Sequence, residues 1–206
     1  MAGRTPFELL AIAWLLAGCT QPGPGSSNNG IKIEDVKTKT YLVAVDTSES
    51  AAVTQSEFGG KIRDSLAALP MSSELRMFRF DSSPAEVYSG PPPERENQAA
   101  MLLKSVFQHK SQTPGTNMSK LVRLFDKHLN EVTSPVEVWI CTDAGTELTT
   151  PAERAEIRST TSRWAHDVRV AKVRVIGLRD GQRETIRDFF QLPPEKLTLE
   201  GRSARS

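Results

Sequence analysis

Tyr41-Leu42-Val43-Ala44-Val45 is apolar at every position and then stops at Asp46. Successive residues of a strand point to opposite faces of its sheet, so an unbroken apolar run requires cover on both faces. That one segment is therefore expected to be a strand covered on both faces of its sheet. The rest of the chain supplies that cover. Residues 51–69 carry Phe58, Ile62, Leu66 and Leu69 at helical spacing, and Pro70 ends the segment. Leu75–Phe80 and Glu86–Tyr88 flank the turn residues Asp81-Ser82-Ser83-Pro84 and read as a hairpin. A helix follows Pro91-Pro92-Pro93, with Ala99, Leu102, Leu103 and Val106 on one face. Ser119–Asn130 is a second, with Leu121, Leu124, Phe125 and Leu129 inward. Val136–Thr142 is a strand, Ala152–His166 a helix with a thin apolar stripe, Val168–Leu178 a strand, and Glu184–Gln191 a short helix.

Strands alternating with helices specify an α/β, Rossmann-like architecture: an open, mostly parallel sheet with one antiparallel edge strand and helices on both faces. In such sheets ligands bind beyond the carboxyl ends of the strands. The first strand ends in Asp46-Thr47-Ser48-Glu49-Ser50, and an extended chain would point the oxygens of Asp46, Ser48 and Ser50 the same way. The strand from Val136 ends in Thr142-Asp143, a second carboxylate at the same edge. Thr113-Pro114-Gly115-Thr116-Asn117 introduces a helix, with Thr116 or Asn117 near its first turn. Each motif alone also fits an ordinary helix N-cap or turn.

Taken in order, Asp46-x-Ser48-x-Ser50, Gly115-Thr116-Asn117 and Thr142-Asp143 resemble the three-part metal-ion-dependent adhesion site of von Willebrand factor A (vWA) domains. The resemblance covers residues 38–192, including the hairpin. It implies Mg²⁺, with Mn²⁺ or Ca²⁺ as alternatives, held directly by Ser48, Ser50 and Thr116 and supported by Asp46 and Asp143. Mg²⁺ prefers hard oxygen ligands, and neutral hydroxyls leave its charge largely uncompensated. An open position on it would accept a carboxylate from a protein partner. Pro114 and Ala144 depart from the family's loops without changing the ligand types, and Thr113 competes with Thr116 for the threonine position.

The N-terminus reads as an address. Arg4 precedes the apolar run Leu9–Leu16, followed by Ala17-Gly18-Cys19, the pattern of a secretory signal peptide. The run is far shorter than the ~20 residues of a membrane-spanning helix. Leu16-Ala17-Gly18-Cys19 resembles the bacterial lipobox, which implies cleavage after residue 18 and acylation of Cys19, each buried methylene adding ~0.8 kcal/mol to membrane retention. Residues 19–37 then hold the lipidated cysteine and a Pro/Gly/Ser/Asn tether, 38–192 the domain, and 193–206 a C-terminal tail. The expected location is the bacterial cell envelope, at the outer membrane facing the periplasm in a Gram-negative cell.

The 206-residue chain has a formal net charge of +1, which gives no reason to expect a nucleic-acid partner, and nothing points to a small-molecule substrate. His109, His128 and His166 lack any zinc-type spacing; His128 falls on the apolar face of its helix and reads as packing. Cys141 lies in an apolar run and reads as a small buried hydrophobe. Lys172 and Arg174 alternate with valines, as in a strand with one face toward water. The expectation is a binding domain and not an enzyme. A phosphotransfer enzyme of the haloacid-dehalogenase type would need an aspartate where Ser48 stands. A scaffold of an envelope or secretion assembly is the remaining alternative.

Overall fold

Thr40–Asp46 (β1) is buried at all seven positions, and it lies at the centre of the sheet. The computed structural model describes residues 38–48, 51, 55–108, 115–143, 150–179 and 181–201. The leader, Cys19 and the tether all fall outside these. The other strands are Glu74–Phe80 (β2), Ala85–Gly90 (β3), Val136–Cys141 (β4), Val170–Leu178 (β5) and Leu197–Gly201 (β6). They form a six-stranded sheet in the order β3-β2-β1-β4-β5-β6, parallel except for β3, which runs antiparallel to β2 at the edge. The helices are Gln55–Ala67 (α1), Glu96–Gln108 (α2), Met118–Glu131 (α3), Pro151–His166 (α4) and Gln182–Phe189 (α5).

The alternation within β1 divides the core in two. Tyr41, Val43 and Val45 pack with Ile62 and Leu66 of α1 and with Ala99, Leu103 and Val106 of α2. Leu42 and Ala44 face the opposite layer, where Leu121, Phe125 and Leu129 of α3, Trp164 of α4 and Ile186 of α5 fill the space. Cys141 is fully buried, and burial pushes its thiol pKa up, which leaves it an inert packing group. The thin stripe of α4 is completed by polar groups that bond within the helix and across to α3. Thr161 Oγ1 donates to Ile157 O at 2.9 Å, and Trp164 Nε1 donates to Asp126 Oδ1 at 2.9 Å. A capping box between Thr150 and Glu153 starts this helix. His128 packs as expected, with its ring centroid 5.0 Å from Phe78, while Arg76 Nη1 donates to its Nδ1 at 2.9 Å.

Two expectations need correction. The segment from 193 is not all tail: β6 pairs in parallel with β5, matching Val173 to Leu197 and Val175 to Leu199. The edge of β5 would otherwise present unpaired backbone groups beside apolar residues, and Leu197 and Leu199 cover it. Arg174 does not face open water. Its guanidinium carbon lies 4.6 Å from the centroid of Trp139, its cross-strand partner, and its Nε donates to Glu200 Oε1 at 2.8 Å.

At the amino edge of the sheet, two cations close helix ends. Lys196 Nζ donates to the carbonyls of Trp164, Ala165 and Asp167 at 3.3, 3.0 and 2.9 Å. Arg169 Nη1 donates to Leu129 O and Val132 O at 2.6 and 3.0 Å. These carbonyls lie at the carboxyl ends of α4 and α3, where positive charge is favoured. Replacing Lys196 by Ala should cost about 1–3 kcal/mol in a urea titration, and a change below a few tenths would show that water serves those carbonyls equally well.

Candidate metal centre

Because β1, β2, β4 and β5 are parallel, their carboxyl ends discharge into loops at one edge of the sheet. Asp46 ends β1 and is 0% exposed. Its Oδ1 accepts from Ser48 N at 2.9 Å, and its Oδ2 accepts from Thr142 Oγ1 at 2.6 Å. The second bond ties the β1 loop to the β4 loop across the strand pair. Burial pushes the Asp46 carboxyl above the usual range. The Thr142 and Ser48 donors pull it back in part, and the nearby Asp143 charge adds to the rise. Asp143 is buried too, and its Oδ2 accepts from Arg179 Nη2 at the end of β5.

Ser48 is buried, and its hydroxyl lies 3.4 Å from Ala51 N, a capping contact of the kind its motif also allows. Thr116 is released from that role. Asn117 is the N-cap of α3, with φ −126° and its side chain accepting from Lys120 N. Among the described residues the Thr116 hydroxyl makes no hydrogen bond, so its oxygen is available to a ligand. Gly115 precedes it at φ +94°, a conformation that favours glycine. Ser50, Thr113, Pro114 and Ala144 lie outside the described residues.

The sequence reading missed two residues here. Asp81, fully buried at the end of β2, holds the loops in register. Its carboxylate accepts from Thr47 Oγ1 at 3.3 Å, from Ser83 N at 2.8 Å and from Arg79 Nη1 at 3.4 Å. Its carbonyl accepts from Asn117 N at 3.1 Å, which brings the Gly115-Thr116-Asn117 loop against the β1 loop. Asp-Ser-Ser-Pro is turn composition, so only the position of Asp81 beside β1 could have singled it out. Arg179 is the second, and nothing in the sequence links it to Asp143.

No family model matches the chain, and no curated protein matches it. Solved structures do. A von Willebrand factor type A protein from Catenulispora acidiphila superposes with TM-score 0.57 at 16% identity, over 81% of this chain and 39% of that one. The manganese-loaded TRAP protein of Plasmodium vivax gives 0.57 at 18% identity, over 80% and 68%. The pilus adhesin SpaC of Lactobacillus rhamnosus GG gives 0.56 at 16% identity, over 82% and 28%. The fold is of von Willebrand factor A type. This chain spans less than half the length of the first and third of these structures.

The donor set at this edge would suit a divalent cation. Asp46 and Asp143 offer buried carboxylates, while Ser48 and Thr116 offer hydroxyl oxygens. Among the described residues no three His, Cys, Asp or Glu side chains cluster to hold a metal. An ion here would therefore rely on hydroxyls and water as well as carboxylate, as Mg²⁺ does readily.

Two outcomes test this geometry. Gly115→Ala should cost about 1–2 kcal/mol through backbone conformation alone, since an added methyl meets nothing within 4 Å; an unchanged melting temperature would mean the loop relaxes freely. Asp46→Asn should melt at or above wild type in EDTA at neutral pH, because ionisation of Asp46 opposes folding. The raised carboxyl favours the fold when protonated, below the ordinary aspartate range, and that contribution is lost as pH rises through its folded value. The advantage of Asp46→Asn over wild type should accordingly shrink as pH falls, and an advantage that grew toward low pH would contradict it.

Proposed function

We propose that this chain is an envelope-anchored vWA-type domain that binds a protein partner through a Mg²⁺-type centre. Mn²⁺ and Ca²⁺ are alternative occupants, and a carboxylate from the partner completes the ion's shell. The observation that carries the reading is the convergence at one sheet edge of Asp46, Asp143, Ser48 and a Thr116 relieved of capping. Ser48, Ser50 and Thr116 would hold the ion through hydroxyl oxygens, with Asp46 and Asp143 fixing the shell. The bound ion would supply a positive centre for an incoming acid, and the surrounding loops would select the partner.

Non-enzymatic binding suits this edge better than turnover. Ser48 stands where a phosphotransferase of similar sheet topology needs its acid/base aspartate. A manganese-loaded protein and a pilus adhesin among the similar structures support a cation-dependent binding role. For the anchor, the support is Leu16-Ala17-Gly18-Cys19 and the tether after it. No helix among the described residues is long and apolar enough to cross a membrane. In a Gram-negative cell, an acylated Cys19 would attach the domain at the outer membrane, facing the periplasm.

Thermal melting in EDTA, followed by addition of Mg²⁺, Mn²⁺ or Ca²⁺, tests the centre. An ion at 100 times its Kd should stabilise the wild type by about 2.7 kcal/mol, and Asp46→Ala should abolish the shift. No shift with any ion in the wild type would overturn the metal reading. Cys19→Ser should move the protein from the membrane to the soluble fraction, and unchanged retention would overturn the lipid anchor.

A further inference from the structure

Arg179 is the first residue after β5, at the same edge as Asp46 and Asp143. Its Nη2 donates to Asp143 Oδ2, and the two side chains differ sharply in exposure, 51% for Arg179 against 2% for Asp143. A carboxylate that buried is stabilised by a countercharge, and Arg179 supplies one that reaches in from solvent. The backbone of Arg179 is fixed independently of that contact. Its N–H donates to Gln182 Oε1 at 2.8 Å, and Gln182 N donates to its carbonyl at 3.2 Å, closing the first turn of α5. The guanidinium can therefore swing outward on its own side chain while the loop stays in place.

We propose that Arg179 is the resident counter-ion of this centre, and that a divalent cation must displace it from Asp143 in order to bind. The inference rests on the cation-binding reading above and adds a residue that sets the affinity. A guanidinium and a dication drawn to the same carboxylate repel each other, and the repulsion grows as water is excluded from the edge. Arg179 thus fulfils two roles. Without the ion it stabilises Asp143, and with the ion it lowers the net gain from binding. A domain wired in this way holds its cation loosely and keeps its edge folded when the ion is absent.

The experiment measures Mn²⁺ binding by calorimetry for wild type, Arg179→Gln and Arg187→Gln, the last a charge control on the exposed side of α5. Arg179→Gln should bind Mn²⁺ about tenfold more tightly than wild type, within the usual range of coupling between sites, and Arg187→Gln should match wild type. Melting in EDTA gives a second readout. Arg179→Gln should melt below wild type without the ion, and saturating Mn²⁺ should raise it by more than it raises wild type. Equal affinities for wild type and Arg179→Gln would overturn the displacement while leaving the cation centre intact. Equal tightening in both variants would reduce the effect to net charge and would also overturn it. Failure of all three proteins to bind Mn²⁺ would remove the inference together with the reading beneath it.

Discussion

The double burial of β1 is the constraint around which the other elements are arranged. Flanked by β2 and β4 and covered by helices on both faces, this strand has no wet surface, so its side chains must alternate between two separate cores. The same burial leaves Asp46, its last residue, with no water to solvate it. A carboxylate in that position is tolerable only if neighbouring loops bring donors to it, and Thr142 and the Ser48 amide do so. The central strand thus makes the core and also forces polar loops to converge at its carboxyl end.

Charge placement follows the same economy at both edges. At the amino edge, Arg169 and Lys196 satisfy carbonyls at helix ends that would otherwise lie against the sheet without donors. At the carboxyl edge, Asp46, Asp81 and Asp143 are buried acids answered by hydroxyls, amides and two arginines. Cations fixed to helix ends are permanent fittings. An arginine reaching from solvent to a buried acid is a replaceable one, and this difference in exposure separates framework from centre.

Most of the architecture was legible because its signals are local. The Tyr41–Val45 run, the helical spacing of Leu121, Phe125 and Leu129, and the Asp-Ser-Ser-Pro turn each report on their own segment. Contacts set by strand register were not legible. Arg174 alternates with valines as a solvent-facing residue would, and only its register opposite Trp139 puts it on an aromatic face. Leu197-Thr198-Leu199 is too short to announce a strand after two prolines, and it becomes one because β5 offers an open edge. The motifs of Asp46, Ser48, Thr116 and Asp143 announce polar residues just beyond strands or ahead of a helix, and that is where they stand. Asp81 and Arg179 could not be singled out in this way, since a turn aspartate and a post-strand arginine acquire meaning only from neighbours distant in sequence.

The direction of β1 has a mechanical consequence. The chain reaches this strand at Thr40 and leaves it at Asp46, so the domain's point of entry and its polar edge lie roughly 20 Å apart, at opposite ends of one strand. If the domain is anchored and engaged as proposed, tension between the N-terminal side of β1 and a partner at the far edge would run along this strand. It would load the ladders to β2 and β4 in shear, with many hydrogen bonds sharing the force at once. A strand at the rim, pulled sideways, would unzip one bond at a time. Such a load, threaded through the middle of the sheet, would make β1, buried at all seven positions, its tendon.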